Sequence, residues 1–233
     1  MREFSPGDEQ HPVLWTFRRC PYAMRARLAL LSAGKTVELR EILLRAKPAA
    51  FLEVSASATV PALRVGQQVF DESLDIMTWA LGQNDPEQLL DMPQDGWDII
   101  STNDGPFKQA LDHTKYASRY PERDALAERG KAADILMNLE DRFDGAPWLF
   151  GQRPKLADLA ILPFVRQFAN TDLAWFEAQE WPNVRSWLHR FVTSETFDRI
   201  MCKYQPWSDG AAPIWFGSPE RSSNGLTETY ADR

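Results

Sequence analysis

The chain has 233 residues, of which 44% are hydrophobic, and this length suits one large or two modest globular domains. It carries 26 lysines and arginines against 33 aspartates and glutamates, and the resulting net charge of -7 argues against a general binder of the nucleic-acid backbone. No apolar run is long enough for a membrane helix and the first residues lack the apolar core of a secretory signal, so we expect a cytoplasmic protein that binds neither nucleic acid nor membrane.

The first third of the chain predicts alternating strands and helices. Short apolar runs predict strands, whereas apolar residues three and four positions apart predict helices. In chain order we predict a strand at 13–17, a helix from Pro21 to Gly34, a strand at 37–44, a short helix at 47–52, strands at 61–65 and 69–71 joined by a tight turn at Gly66, and a helix at 73–81. This order describes a compact α/β domain that begins with a βαβ unit.

From residue 87 onward the pattern changes to long helical segments. Helices are predicted at 122–143, 156–167 and 183–191, and Pro106 and Pro163 are expected to start or kink helices. The last thirty residues have few periodic apolar positions and predict an extended tail. We therefore predict an N-terminal arm at 1–12, an α/β domain at 13–81, a linker at 82–86, an all-helical domain at 87–202 and a C-terminal tail at 203–233.

A cysteine at the predicted start of the first helix is the strongest candidate for chemistry. Cys20 follows the strand at 13–17 and precedes Pro21, which suits the first position of a helix because proline has no N–H. Unpaired N–H groups and the positive end of the helix dipole favour the thiolate, which is the nucleophilic form, and Arg18 and Arg19 add positive charge nearby. A buried, inert cysteine is the alternative, but the order strand, Cys-Pro and helix favours a reactive thiol.

The other cysteine and the three histidines indicate no metal site. Cys202 lies near the end of the predicted helical domain, and we interpret it as a packing residue. A reducing compartment would keep both cysteines as thiols, although the sequence alone leaves their pairing open. His11, His113 and His189 have no ligand spacing with each other or with either cysteine, so we expect no bound metal.

The segment around Cys20 resembles the active site of a known enzyme family. The run Phe17-Arg18-Arg19-Cys20-Pro21-Tyr22-Ala23-Met24-Arg25-Ala26-Arg27 is similar to the Cys-Pro-(Phe/Tyr)-Ala segment of cysteine-type glutathione transferases, most closely the omega class, and of the related glutaredoxins. Further matches follow in the expected order at Lys47-Pro48, Val60-Pro61 and Asp71-Glu72-Ser73. The resemblance covers residues 13–202. It implies a thioredoxin-like N-terminal domain, an all-helical bundle as C-terminal domain, and glutathione as co-substrate without a metal.

The resemblance also implies a role for each matched residue. A cis Val60–Pro61 bond would turn the Val60 backbone towards the cysteinyl part of glutathione. Glu72 and Ser73 would hold the ammonium and carboxylate of its γ-glutamyl end, and Lys47 would reach its glycine carboxylate. On the residues alone, Val60-Pro61 also fits an ordinary trans turn, Ser73 a simple helix cap and Lys47 a surface charge.

The implied activity is a thiol transfer that depends on glutathione. Tyr22, which is also expected to contact glutathione, and Ala23 occupy the positions where a dithiol oxidoreductase has its second cysteine, so the second thiol must come from glutathione. We predict that the enzyme removes glutathionyl groups through a mixed disulfide of Cys20, with dehydroascorbate reduction and reductive release from conjugates ranked below. Two alternatives stay open: a conjugating transferase in which Thr16 or Tyr22 assists the glutathione thiol, and a non-catalytic interaction module.

Two features of the predicted helical domain follow from the same resemblance. Residues 154–161 are similar to the helix-capping segment of the transferase C-terminal domain, but Lys155 stands where the family usually has Ser or Thr. We therefore expect Asp158 to accept from the backbone N–H three residues earlier, and the reciprocal half of the capping box to be absent. Four aromatic residues are candidates for an electrophile pocket between the domains and equally candidates for the core: Phe107, Tyr116, Tyr120 and Trp175.

The resemblance finally implies the partners. Small electrophilic or disulfide compounds are the expected second substrates, beside glutathione itself. The family commonly forms homodimers, so a homodimer is implied, although no interface can be identified in the sequence.

Overall fold

The computed structural model describes residues 11–217, and these residues form two compact units. One unit consists of residues 11–84 together with 199–217, and the other consists of residues 85–198. The first contains a five-stranded sheet with helices, and the second is built from helices. The predicted fold class, a thioredoxin-like α/β domain followed by an all-helical domain, is therefore confirmed.

The elements of the α/β unit follow the predicted order. They are β1 at Val13–Thr16, α1 at Pro21–Ser32, β2 at Val37–Glu41, α2 at Ala49–Val54, β3 at Ala62–Val65, β4 at Gln68–Phe70 and α3 at Ser73–Gln83. Pro21 is the first residue of α1, as its missing N–H favours. The helix ends before Gly34, whose φ of 62° lies in the left-handed region that glycine enters without a steric cost.

The sheet places the C-terminal end of β1 beside the N-terminal end of β3. Its strand order is β4-β3-β1-β2-β5, in which β1 runs parallel to β2 and antiparallel to β3. Trp15 lies opposite Ala62 and Arg40, so the chain leaving β1 at Thr16 passes the chain that enters β3 from Pro61. This register brings the segment before α1 next to the segment before β3.

The predicted second strand is too long at its C-terminal end. Strand β2 ends at Glu41, and the apolar residues Leu43 and Leu44 are 43% and 47% exposed in a turn closed by a bridge between Leu43 and Ala46. The neighbouring strand β1 ends at Thr16, whose carbonyl accepts the last ladder hydrogen bond from Ile42. Residues beyond Ile42 therefore have no strand to pair with, and their apolar character does not make them a strand.

The C-terminal segment contributes an unpredicted strand to the first unit. Strand β5, at Trp215–Phe216, pairs antiparallel with β2, and the Leu39 N–H donates to the Ile214 carbonyl at 2.7 Å. Residues 203–214 contain no helix or strand, as predicted for a tail, but the prediction missed this strand because two residues carry no periodic pattern. The predicted arm at 1–10 and the tail beyond residue 217 lie outside the described residues.

The second unit is built from helices, and its first helix begins at residue 94. It contains α4 at Gln94–Thr102, a π-helical turn at Asn103–Phe107, α5 at Lys108–Lys115, a short 3₁₀ turn at Ala117–Arg119, α6 at Ala125–Glu140, α7 at Leu156–Ala169, α8 at Leu173–Glu177, α9 at Pro182–Val192 and α10 at Glu195–Ile200. Pro106 lies in the π-helical turn, where the α-helical pattern is interrupted. Pro163 lies inside α7, which neither begins nor ends there.

Asp158 is the polar centre of the helical unit. Its carboxylate is fully buried and accepts from the backbone N–H groups of Lys155 at 2.8 Å and Leu149 at 3.1 Å, and from the indole N–H of Trp187 at 2.9 Å. Burial raises its pKa to about 6, and the three hydrogen bonds oppose this rise. A lysine ammonium has no acceptor atom, so the Lys155 side chain cannot accept from the backbone of α7, and it donates to the Gln88 carbonyl at 2.9 Å. Only the Asp158 half of the capping box is therefore formed.

We expect the substitution Asp158→Ala to lower the free energy of unfolding by about 3–5 kcal/mol, because it leaves three buried donors without an acceptor. Asp158→Asn keeps the oxygen that serves Leu149 and Trp187 and should cost about half as much. Urea unfolding measures both. The control is Asp134→Ala, an exposed acid on α6. Equal losses in Asp158→Ala and Asp134→Ala would contradict the central role of Asp158.

Candidate active site at Cys20

The backbone places the Cys20 thiol at the N-terminus of α1. Cys20 has an extended conformation, with φ −72° and ψ 122°, and immediately precedes Pro21. Its N–H donates to the Phe17 carbonyl at 3.0 Å, and its own carbonyl accepts the first helical hydrogen bond, from Met24 at 2.8 Å. The side chain therefore stands beside the first turn, whose N–H groups have no intrahelical partner.

The thiol is half-buried: it packs against the apolar core of the first unit and donates a hydrogen bond to one backbone carbonyl. Cys20 Sγ donates to the Val60 carbonyl oxygen at 3.6 Å. It packs against an apolar cluster formed by Val13, Trp15, Ile42, Phe51, Val60 and Ala62. Trp207 from the C-terminal segment packs on the same cluster, with its ring 5.0 Å from that of Trp15. One side of the sulfur is thus fixed by packing, and the carbonyl defines the direction of its proton.

The segment before β3 is held by an acidic side chain. The Val60–Pro61 peptide bond is cis, as predicted. Asp71 accepts from the Ser55 hydroxyl at 2.6 Å and from the Ser57 N–H at 2.8 Å, and so ties the loop that leads to Val60 to the start of α3. The sequence motif that contains Asp71 therefore lies near Val60, but the contacts of Asp71 with this loop were not predicted.

Ser73 is tied to the first helix by an arginine that the sequence reasoning missed. Ser73 begins α3 and is buried, and its hydroxyl accepts from Arg25 Nε at 2.9 Å. The Arg25 guanidinium lies over the Tyr22 ring, 5.2 Å from its centroid. Glu72, the residue before α3, is exposed. Lys47 is also exposed, in the turn before α2. The structure therefore brings Cys20 into contact with Val60, and it links Tyr22 to Ser73 through Arg25. Lys47 and Glu72 are exposed, each just before a helix.

Two charged residues lie buried beneath the turn that precedes Cys20. Arg27 is 1% exposed and Glu41 is 7% exposed. Burial lowers the pKa of Arg27 to about 10, although Glu41 and Cys20 favour its charged form, and burial raises the pKa of Glu41. Arg19, which the sequence suggested as a nearby charge, is exposed and lies against the Phe17 ring. Arginines inside an otherwise apolar, buried helix were the signal that could have identified Arg27.

The four predicted pocket residues lie in the helical unit. Phe107 is a core residue, 1% exposed, and lines a cavity of about 420 Å³ between α4, α6 and α7. Phe107 and Trp175 both contact the ring of Phe168. Tyr120 packs against His113, whereas Tyr116 lies under the guanidinium of Arg119. The described helical unit thus brings Phe107 and Trp175 to one aromatic cluster and places the two tyrosines after α5.

Neither a metal-binding cluster nor a membrane-spanning helix is found in residues 11–217. Within this range no group of three or more His, Cys, Asp or Glu side chains is arranged to hold a metal ion, and neither Cys20 nor Cys202 forms a disulfide. No described helix is both long and apolar enough to cross a membrane.

Comparisons with known proteins place the two units in one family. A family model described as "Glutathione S-transferase, N-terminal domain" matches residues 14–88, and one described as "Glutathione S-transferase, C-terminal domain" matches residues 120–190. The chain is also 24% identical over 188 residues to the chloroplastic glutathione S-transferase DHAR3 of Arabidopsis thaliana, and this match covers 76% of this chain and 67% of that protein.

Two solved structures with the same fold are a bacterial and a fungal protein. A glutathione transferase family member from Pseudomonas fluorescens, with two glutathione bound, matches with a TM-score of 0.71 and 18% identity, over 83% of this chain and 93% of that one. Glutathione transferase Omega 3C from Trametes versicolor matches with a TM-score of 0.68 and 19% identity, over 85% of this chain and 87% of that one. At these identities the matches show a shared fold.

We expect Asp71→Ala to lower the free energy of unfolding by about 2 kcal/mol, because it removes a charged acceptor from Ser55 and Ser57. Amide hydrogen exchange at residues 55–59 should rise more than exchange in the rest of the first unit. The matched control is Asp75→Ala, an exposed acid in the first turn of α3 that should cost less than about 1 kcal/mol. Unchanged exchange at residues 55–59 would show that Asp71 does not hold this loop.

Proposed function

Since the chain belongs to the glutathione S-transferase family, whose two domain models together match more than half of it, we propose that it is a cysteine-type, omega-like thiol transferase. The observation that carries this proposal is the position of the Cys20 thiol, at the N-terminus of α1 and 3.6 Å from the Val60 carbonyl. The helix start favours the thiolate. The Val60 carbonyl accepts from the protonated thiol and places the sulfur beside a peptide that would lie along the Val60–Pro61 segment.

The proposed reaction is a two-step thiol–disulfide exchange. The Cys20 thiolate attacks the glutathionyl sulfur of a mixed disulfide, a Cys20–glutathione disulfide forms, and the other half of the substrate leaves as a thiolate. A second glutathione thiolate then attacks the same glutathionyl sulfur, so that oxidised glutathione leaves and the Cys20 thiolate is restored. The N-terminal end of α1, with the positive end of the helix dipole, stabilises the thiolate at the start and at the end of this cycle.

Glutathione is proposed to lie across the starts of β3, α2 and α3. The Val60 backbone, held by the cis bond to Pro61, pairs with the cysteinyl part and keeps the sulfur next to Cys20. The start of α3 receives the γ-glutamyl end, with Glu72 on its ammonium and Ser73 on its carboxylate. In the free protein the Ser73 hydroxyl already accepts from Arg25. Its own O–H can therefore donate to a carboxylate while this contact persists.

Two further contacts complete the proposed glutathione site. Lys47 is exposed before α2 and reaches the glycine carboxylate, and Tyr22 lies in the first turn of α1 under Arg25. Tyr116, Tyr120 and Trp175 remain candidates for contacts to the second substrate, whereas burial leaves Phe107 a structural role in lining its cavity. A homodimer and a cytoplasmic location also remain proposals that rest on the family resemblance.

A conjugating reaction receives less support from the geometry. Thr16, one of the two hydroxyls considered for that role, is fully buried, and its oxygen accepts from Arg27. A hydroxyl in this position is not accessible to a glutathione thiol. Conjugation of electrophiles and glutathione binding without catalysis are the two alternative functions that the kinetic experiments distinguish from thiol transfer.

We expect wild-type protein incubated with oxidised glutathione to gain one glutathionyl group, because the Cys20 thiolate attacks the disulfide. Intact mass spectrometry measures the adduct. Cys20→Ala should gain none, whereas Cys202→Ala, the matched control for the second thiol, should gain one as the wild type does.

Steady-state kinetics then separate the three candidate functions. Thiol transfer should be lost in both Cys20→Ala and Cys20→Ser. Conjugation of an electrophile that survives or rises in these variants would favour the conjugating function instead. Absence of both reactions in the wild type, together with measurable glutathione binding, would favour an interaction module.

We expect Glu72→Gln and Lys47→Gln each to raise the KM for glutathione by about tenfold, with kcat changed less than about twofold, because each removes one charge that binds the tripeptide away from the reacting sulfur. Thiol-transfer kinetics at varied glutathione concentration measure both constants. The matched controls are Glu53→Gln on α2 and Arg45→Gln in the preceding turn, which are exposed residues outside the proposed site. Equal effects in the controls would remove Glu72 and Lys47 from the site.

A further inference from the structure

The peptide group of Arg18 is held from both sides by buried charged side chains. Glu41, at the end of β2, accepts from the Arg18 N–H at 2.7 Å. Arg27, in the second turn of α1, donates to the Arg18 carbonyl at 2.7 Å and to the Phe17 carbonyl at 3.5 Å. The Phe17 carbonyl in turn accepts the Cys20 N–H at 3.0 Å. We call this arrangement of Arg27 and Glu41 around Arg18 the buried clamp.

The buried clamp also anchors the end of β1. Arg27 also donates to the Thr16 hydroxyl, so its guanidinium contacts three consecutive residues: the last residue of β1 and the first two of the turn that follows. A planar fork with several donors suits this task, since it fixes direction as well as distance. The turn has little freedom to move the cysteine that follows it.

The two side chains of the buried clamp interact electrostatically with each other, but one polar atom of each makes no hydrogen bond within residues 11–217. Arg27 Nε and Glu41 Oε2 are buried without a hydrogen-bond partner among residues 11–217. Burial of an ion in a medium of low dielectric constant strengthens its interaction with any other charge nearby. Arg27 interacts electrostatically with Cys20 as well as with Glu41. The positive charge of Arg27 therefore acts on the sulfur, and Glu41 acts on it through its interaction with Arg27.

We infer that Arg27 and Glu41 are positioning residues for Cys20, which hold the turn before the thiol and set its ionisation with opposite signs. The positive Arg27 favours the Cys20 thiolate, and the negative Glu41 opposes it. This inference rests on the proposed function only in that Cys20 is taken as the reacting thiol. A pair that merely stabilised the fold would not change the ionisation of the thiol in opposite directions when each partner is neutralised.

Two further groups face the buried clamp. From the C-terminal segment Tyr204 faces Arg27 and Glu41, and burial together with Cys202 raises its pKa, so it stays neutral. Arg18 contributes a positive charge from the turn. Burial raises the pKa of Glu41, so its negative charge is expected to act only at pH values above that raised pKa.

The test is the pH profile of Cys20 alkylation by iodoacetamide, followed on the peptide that contains Cys20 by mass spectrometry, without glutathione. Arg27→Met should move the midpoint of the profile to higher pH, and the alkylation rate on the acidic side should fall by about tenfold for each pH unit that the midpoint rises. Glu41→Gln keeps an acceptor for the Arg18 N–H and removes the charge, so its midpoint should move to lower pH. Arg27→Lys keeps the charge and should restore a midpoint near that of the wild type.

The outcomes separate this inference from the proposed function. Arg40→Gln, the matched control, removes a cation from β2 that stacks on Trp15 and Trp207, and should leave the midpoint within about 0.3 pH units. Midpoints that are unchanged, or that move in the same direction in Arg27→Met and Glu41→Gln, overturn the inference. If Arg27→Met does not fold, Glu41→Gln alone decides it, because a midpoint that does not fall overturns it. A wild type without thiol-transfer activity, but with midpoints that move in opposite directions in the two variants, would reject the function and keep the buried clamp.

Discussion

The contact between the Cys20 thiol and the Val60 carbonyl joins two chain segments on which the candidate site depends. The two residues are 40 positions apart, and they meet because β1 and β3 pair antiparallel with Trp15 opposite Ala62. A shift of this register by one residue would turn each side chain of β3 to the other face of the sheet. The apolar core under the sheet therefore fixes the register, and through the register it fixes the distance from the sulfur to the Val60 carbonyl.

Helix α1, which follows Cys20, carries buried charged side chains where apolar residues would be expected. Helix α1 buries Arg25 and Arg27, at 2% and 1% exposure, and each donates to another part of the chain instead of to solvent. Arg25 reaches Ser73 at the start of α3, and Arg27 reaches the turn at the start of α1 itself. Burying two cations is unfavourable unless their donors are satisfied. Their hydrogen bonds explain how the helix holds both proposed halves of the glutathione site.

How much the sequence predicted depends on whether the signal was local. The Cys20-Pro21 step is a short local motif, so the thiol at a helix start followed from neighbouring residues. The cis Val60–Pro61 bond was predicted from the family resemblance, because the residues alone also fit a trans turn. The buried clamp did not follow, because helical spacing assumes one buried face, and α1 is buried on more than one. The strand expected at 37–44 is too long for a related reason: Leu43 is apolar, but pairing depends on where β1 ends.

The C-terminal segment has the clearest long-range effect on the site. It lies antiparallel along β2, with Phe216 opposite Val37 near one end and the Trp207 N–H donating to the Glu41 carbonyl at 2.7 Å near the other. Without it β2 would be an edge strand with unpaired backbone groups. Glu41 is also the residue whose side chain holds the peptide of Arg18. The backbone of residues 207–216 therefore helps to fix the position of Glu41, whose carboxylate holds the turn before Cys20, and no local pattern in either segment predicts that relation.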